Sequence, residues 1–97
     1  MYKLTIQPSA EKFLKKLDKK TQIMIIKKLH KIKENPYLGK ALVANLSGLW
    51  RVRADKYRII YEIVEKKLIV VVIKINHQKD AYWIDSLIKT HKKQFKL

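Results

Sequence analysis

The sequence predicts an α+β domain: a small four-stranded sheet with an N-terminal helical hairpin and a C-terminal helix, in the order β-α-α-β-β-β-α. Three observations predict it. Residues 2–6, YKLTI, alternate apolar and polar side chains with period two. Two stretches with helical spacing follow. After Gly48 come three runs rich in β-branched and aromatic residues, separated by breaks short enough only for antiparallel hairpins.

In the first strand Tyr2, Leu4 and Ile6 lie on one face, against Lys3 and Thr5. Pro8-Ser9 ends it and opens a helix, with Ser9 as the expected N-cap and Glu11 in the first turn. That helix turns Phe13, Leu14 and Leu17 to one side. DKKT, residues 18–21, is a turn with Asp18 or Thr21 as cap. A second helix, about residues 20–34, carries the stripe Ile25, Ile26, Leu29 and Ile32, with Ile23 beside it. Asn35-Pro36 stops it, because the residue before a proline disfavours the helical conformation. Residues 36–48 read as a semi-ordered connection. The strands Leu49–Arg53, Tyr57–Val64 and Leu68–Ile75 follow, broken by ADK and EKK. The last is apolar on both faces and is expected to be central. Asn76–Asp80 is a loop, and Tyr82–Lys93 a final helix anchored by Trp83, Leu87 and Ile84.

Residues 1–97 are expected to form one domain. Hydrophobic residues make up 47% of the chain, enough for a packed core. With no cysteine there is no disulfide framework and no thiolate site. The histidines His30, His77 and His91 lack metal-ligand spacing, so no metal and no cofactor are expected. The longest apolar run, LIVVVI at residues 68–73, is far short of the roughly 20 residues of a membrane span. MYKLTIQPSA lacks the features of a secretory signal, so a cytoplasmic protein without a membrane partner is expected. Lys+Arg outnumber Asp+Glu by 23 to 8, a net charge of +15, which calls for an anionic partner.

Arginine occurs only at Arg51, Arg53 and Arg58, within LWRVRADKYRIIYE; lysine supplies every other basic position apart from the histidines. On a strand Arg51 and Arg53 share a face. A two-residue turn, Asp55-Lys56, or a four-residue turn sets Arg53 opposite Arg58. A three-residue turn sends Arg58 to the other face. Like charges directly opposed on a ladder are unfavourable, which suggests a bound anion. The planar guanidinium fork matches phosphate oxygens in pairs, which an ammonium does not. Tyr57, Tyr61 and Trp50 read as packing residues in preference to base-stacking platforms.

The segment LSGLWRVRADKYRIIYEI, followed by an apolar strand and NHQKDAYW, resembles the RelE/ParE superfamily of toxin–antitoxin toxins, and its RelE branch more than its ParE branch. The resemblance covers essentially the whole chain. It implies a RelE-like fold and a metal-independent endoribonuclease that cleaves mRNA in the ribosomal A site and inhibits translation. On this resemblance Arg51 and Arg53 match two basic positions of the hairpin. Arg58 matches the arginine of a YR motif, with phosphate binding and transition-state stabilisation as its role. Tyr82 matches an aromatic residue that stacks on or orients the nucleotide. Gln78 stands where arginine is common, and Lys79, one place along, is the candidate catalytic residue to substitute for it. Because guanidinium groups do not deprotonate, His77 is the titratable group best placed by sequence to act as a base. Lys56, Lys89, Lys92 and Lys93 are expected to contact RNA. The implied partners are the ribosome with its mRNA and rRNA, and a RelB-like antitoxin offering an acidic or amphipathic segment. Two other readings remain: a ParE-like inhibitor of DNA gyrase, and a degenerate RNA-binding homologue that does not cleave.

Overall fold

Proline has no N–H for a ladder, and its fixed φ suits the first helical position. Strand β1 (Lys3–Ile6) therefore passes at Pro8 straight into helix α1 (Pro8–Lys15). The N-cap is Gln7, in extended conformation, and not Ser9 as the sequence suggested; Pro8 draws the helix start forward. The computed structural model describes the backbone of residues 2–95 and the side chains of residues 2–89. Helix α2 (Lys19–Glu34) is capped by Asp18, whose carboxylate accepts a hydrogen bond from the Thr21 hydroxyl. Asn35 leaves the helix in extended conformation before Pro36, and its side chain accepts from the Tyr37 N–H at 3.2 Å.

The connection after α2 is more ordered than its composition suggested. It holds two short 3-10 turns, Pro36–Leu38 and Ala44–Leu46, and a two-residue strand, β2 (Lys40–Ala41). Strands β3 (Leu49–Ala54), β4 (Tyr57–Val64) and β5 (Ile69–His77) follow, and then helix α3 (Trp83–Phe95). The sheet thus has five strands, not four, in the order β1-β5-β4-β3-β2. Strand β1 runs parallel to β5, and the other pairs are antiparallel. The class is the expected α+β, with the helical hairpin on one face of the sheet and α3 on the other.

Each face has its own core. Under the hairpin, Ala10, Leu14, Ile25, Leu29 and Ile32 pack on Ile59, Tyr61, Val70, Val72 and Ile75. The α2 stripe is narrower than its apolar residues suggested, since Ile23 and Ile26 stay exposed. Under α3, Trp83 and Leu87 pack on Leu46, Leu49, Ile60 and Ile73, while Ile84 points to solvent. Strand β5 contributes to both clusters, which explains its two apolar faces. It also carries a bulge: Ile60 pairs with Lys74 but Tyr61 pairs with Val72, so Ile73 is the extra residue.

Tyr61 locks the connection to the sheet. Its ring is fully buried, and its hydroxyl donates to the Pro36 carbonyl at 2.6 Å. Burial pushes its pKa up. A methyl group added at Gly39 would collide with that hydroxyl and lie 2.7 Å from the Arg51 carbonyl oxygen. Gly39→Ala is therefore expected to destabilise the fold by about 1–3 kcal/mol, and Tyr61→Phe by a similar ~1–3 kcal/mol through the unpaired carbonyl. In urea unfolding the double variant should lose less than the sum, because removing the hydroxyl relieves part of the collision.

Candidate functional site

The β3–β4 hairpin closes on a two-residue turn. Ala54 pairs with Tyr57, and Arg53 therefore faces Arg58 directly. Asp55 takes the left-handed conformation that so tight a turn requires, with φ 54, a backbone region that aspartate tolerates. Arg51 pairs with Ile60 two positions along, on the same face. The three arginines thus share the sheet face that α3 covers only in part. Lys40 joins them, because β2 sets it opposite Arg51. Among the described residues none of the three arginines forms a salt bridge; the ion pair present is Lys15–Glu11 on α1.

Neutral groups hold the arginines instead. The Arg53 guanidinium donates to the Gln78 side-chain oxygen. Arg58 donates to the Gln78 backbone carbonyl at 2.5 Å, to the His77 carbonyl at 3.3 Å and to the Asn76 side-chain oxygen at 3.4 Å. Its guanidinium carbon lies 4.7 Å from the centroid of the Trp83 ring, a cation–π stack. Gln78 itself is fixed by donating its N–H to the Lys56 carbonyl at 2.7 Å, which ties the loop after β5 to the hairpin turn. Desolvation pushes the Arg58 pKa down, as do the Arg51 and Arg53 charges, while the Asp80 carboxylate opposes them. Arg58 starts so high that it stays a cation at neutral pH.

The other expected site residues divide. His77 is not brought to the arginines. It pairs with Tyr57 on β4, and the two rings meet edge to face at 5.2 Å on the hairpin side of the sheet. Its Nδ1 accepts from the Lys79 N–H at 3.0 Å. Lys79 is exposed in the loop that carries Gln78. Tyr82 precedes α3, which starts at Trp83 and not at Tyr82 as the sequence suggested; its N–H is bonded to the Asp80 carboxylate at 3.0 Å, and the residue is 75% exposed. Lys56 is exposed in the hairpin turn, at the rim of the arginine face. Lys89 is exposed on α3, and the side chains of Lys92 and Lys93 lie outside the described residues.

Sequence pattern alone does not assign Asn76, Trp83 or Lys40 to the site. Asn76 occupies β5 opposite Arg58. Trp83 is the core anchor its spacing implies and is also the platform under Arg58. Lys40 is hidden because a two-residue strand has no periodicity. Gln78 stands out in the sequence only for lacking charge; the structure shows it holding two arginines at once. Among the described residues no group of three His, Cys, Asp or Glu side chains could hold a metal ion. No described helix is long and apolar enough to cross a membrane.

The chain and its fold have clear counterparts. The family model described as the ParE toxin of the type II toxin–antitoxin system, parDE, matches residues 4–82. The chain is a type II toxin of the RelE/ParE superfamily. A Methanocaldococcus jannaschii protein named as toxin RelE4 is 33% identical over 93 residues, covering 92% of this chain and 99% of that protein. Among solved structures, the toxin–antitoxin complex RelBE2 of Mycobacterium tuberculosis contains a chain that superposes with TM-score 0.74 at 24% identity, over 78% of this chain and 96% of its own length. The isolated Escherichia coli RelE toxin gives TM-score 0.72 at 21% identity, over 93% and 98%. These two likenesses establish a shared fold.

The neutral bracing of this toxin's arginines gives a direct test. Gln78→Glu places a carboxylate on Arg53 with almost no change of shape. It is expected to stabilise the fold by roughly 0.5–1 kcal/mol in thermal unfolding, and to weaken inorganic phosphate binding in an NMR titration.

Proposed function

We propose that this toxin is a ribosome-dependent endoribonuclease that cleaves mRNA in the A site, with the scissile phosphate bound on the arginine face. The observation that carries the reading is the opposition of Arg53 and Arg58, with Arg51 alongside and, among the described residues, no carboxylate paired to any of them. A like-charge pair of this kind is unfavourable until an anion arrives, and phosphate is the anion a guanidinium fork fits best. In the reaction the 2′-oxygen forms a bond to phosphorus and the bond from phosphorus to the 5′-oxygen breaks. The products are a 2′,3′-cyclic phosphate and a 5′-hydroxyl. Arg58 and Arg53 stabilise the extra negative charge on the phosphorane. Tyr82, exposed at the start of α3, stacks on or orients the nucleotide. The proton leaving the 2′-hydroxyl is taken by a group other than an arginine, and a proton is delivered to the departing 5′-oxygen to give the 5′-hydroxyl. Lys79 and Tyr82 are the titratable candidates on the loop side, since His77 faces the hairpin. Lys56 and Lys89, with Lys92 and Lys93, supply long-range attraction to RNA. A RelB-like antitoxin with an acidic segment neutralises the toxin in the cytoplasm; the toxin–antitoxin complex RelBE2 supports the antitoxin partner.

A second reading, inhibition of DNA gyrase, has the ParE family match on its side. One experiment separates the two. Purified toxin is added to programmed ribosomes and the mRNA 5′ ends are mapped, with a gyrase supercoiling assay in parallel. Cleavage within the A-site codon that disappears in Arg58→Ala supports the nuclease. Intact mRNA with blocked supercoiling supports the gyrase inhibitor, and intact mRNA with salt-sensitive ribosome binding a non-cleaving homologue. Arg58→Lys should slow cleavage roughly 100-fold while ribosome affinity stays nearly unchanged, because lysine keeps the charge and loses the fork.

A further inference from the structure

Arg53, Arg58 and Asn76 form one row across three neighbouring strands, β3, β4 and β5, with each residue opposite the next. The first two are exposed or half-buried cations, and the third is a carboxamide only 3% exposed. A guanidinium has donors and no acceptors, so the carboxamide must turn its oxygen toward Arg58. Its Nδ2 then points elsewhere and finds no acceptor among the described residues. A buried donor without a partner is destabilising, and an apolar residue at this position would remove that penalty. Strand β5 is otherwise filled with Val and Ile up to Ile75, apart from Lys74 at the bulge.

We propose that Asn76 is a positioning residue for Arg58: its oxygen fixes the guanidinium in the one orientation that leaves a free pair of N–H groups for a phosphate. A guanidinium carries five N–H groups. Arg58 commits three of them, to Asn76 Oδ1, the His77 carbonyl and the Gln78 carbonyl. Two remain, the number a bidentate phosphate contact uses. The Trp83 ring limits motion out of the guanidinium plane, and the three acceptors limit rotation within it. The two backbone carbonyls belong to the end of β5 and the start of the loop. The Asn76 oxygen is the brace that comes from within the ladder, directly across from Arg58. The inference rests on the phosphate-binding part of the proposed function and does not require cleavage.

The test uses the full chain with Asn76→Val, which suits an interior strand, and Asn76→Ala should the valine variant fail to fold. Three readouts are taken: thermal unfolding, the Arg58 Nε–H signal in 15N NMR with an inorganic phosphate titration, and single-turnover mRNA cleavage on saturating ribosomes. The expected result is a melting temperature at or above that of the parent, a broadened Arg58 signal and phosphate binding weakened roughly tenfold. Cleavage should slow by a similar factor with the half-saturating ribosome concentration unchanged. Asn76→Asp keeps an oxygen facing Arg58 and should restore the sharp signal. A folded variant with a lowered melting temperature, and with parental Arg58 signal and phosphate affinity, overturns the inference and leaves Asn76 a packing residue. If the parent binds phosphate through Arg58 but cleaves no mRNA, the nuclease reading falls while the NMR result still decides the role of Asn76. If the parent binds no phosphate, the inference falls whatever the ribosome assay shows.

Discussion

Two guanidinium groups face each other across the β3–β4 ladder, and the arrangement of the loop after β5 follows from the need to hold them. Each requires acceptors, and a carboxylate would meet the need most strongly. A carboxylate would also cancel the charge that makes the face attractive to an anion. The chain supplies neutral oxygens instead: the Gln78 side chain for Arg53, and the Asn76 side chain with the His77 and Gln78 carbonyls for Arg58. Neutral acceptors satisfy the hydrogen bonds and leave the charge intact. At Arg58 they also leave two of the five N–H groups uncommitted.

Holding the loop in place falls to two further hydrogen bonds. Gln78 is anchored to the hairpin turn through the Lys56 carbonyl, and Asp80 opens α3 by accepting from the Tyr82 N–H. Helix α3 then brings Trp83 over Arg58 and, one turn on, Leu87 over the core formed by Ile60, Ile73 and Leu49. The packing of α3 and the orientation of Arg58 are therefore one structural fact. On the other face, Tyr61 and Gly39 fasten β2 beside β3, which keeps Lys40 in line with Arg51.

Much of this is legible in the sequence, because periodicity records which face a residue occupies. The alternation in LWRVRA places Arg51 and Arg53 together, and the short break allows the two-residue turn that brings Arg58 opposite. The helical hairpin, the doubly apolar strand β5 and the anchors Trp83 and Leu87 follow from the same kind of pattern. What pattern does not record stays hidden. Strand β2 is too short to have a period, so a five-stranded sheet reads as four. Ser9 is a good capping residue, but Pro8 before it moves the cap to Gln7. Gln78 emerges as a brace only from three-dimensional pairing, which sequence does not carry.

His77 lies on the face away from the arginines, and the bulge in β5 puts it there. Val70 and Val72 face the hairpin. Strict alternation from them would set residues 74 and 76 toward the hairpin, and residues 75 and 77 toward the arginine face. The extra residue, Ile73, inverts that parity: Ile73 and Lys74 both lie on the α3 side, Ile75 returns to the hairpin core, and Asn76 lands opposite Arg58. VVVI is apolar throughout, so no change of pattern marks the inversion. One inserted position exchanges an imidazole for a carboxamide beside the arginines. The result is a sheet face that sets a carboxamide beside Arg58 and turns the imidazole of His77 against Tyr57 on the opposite face.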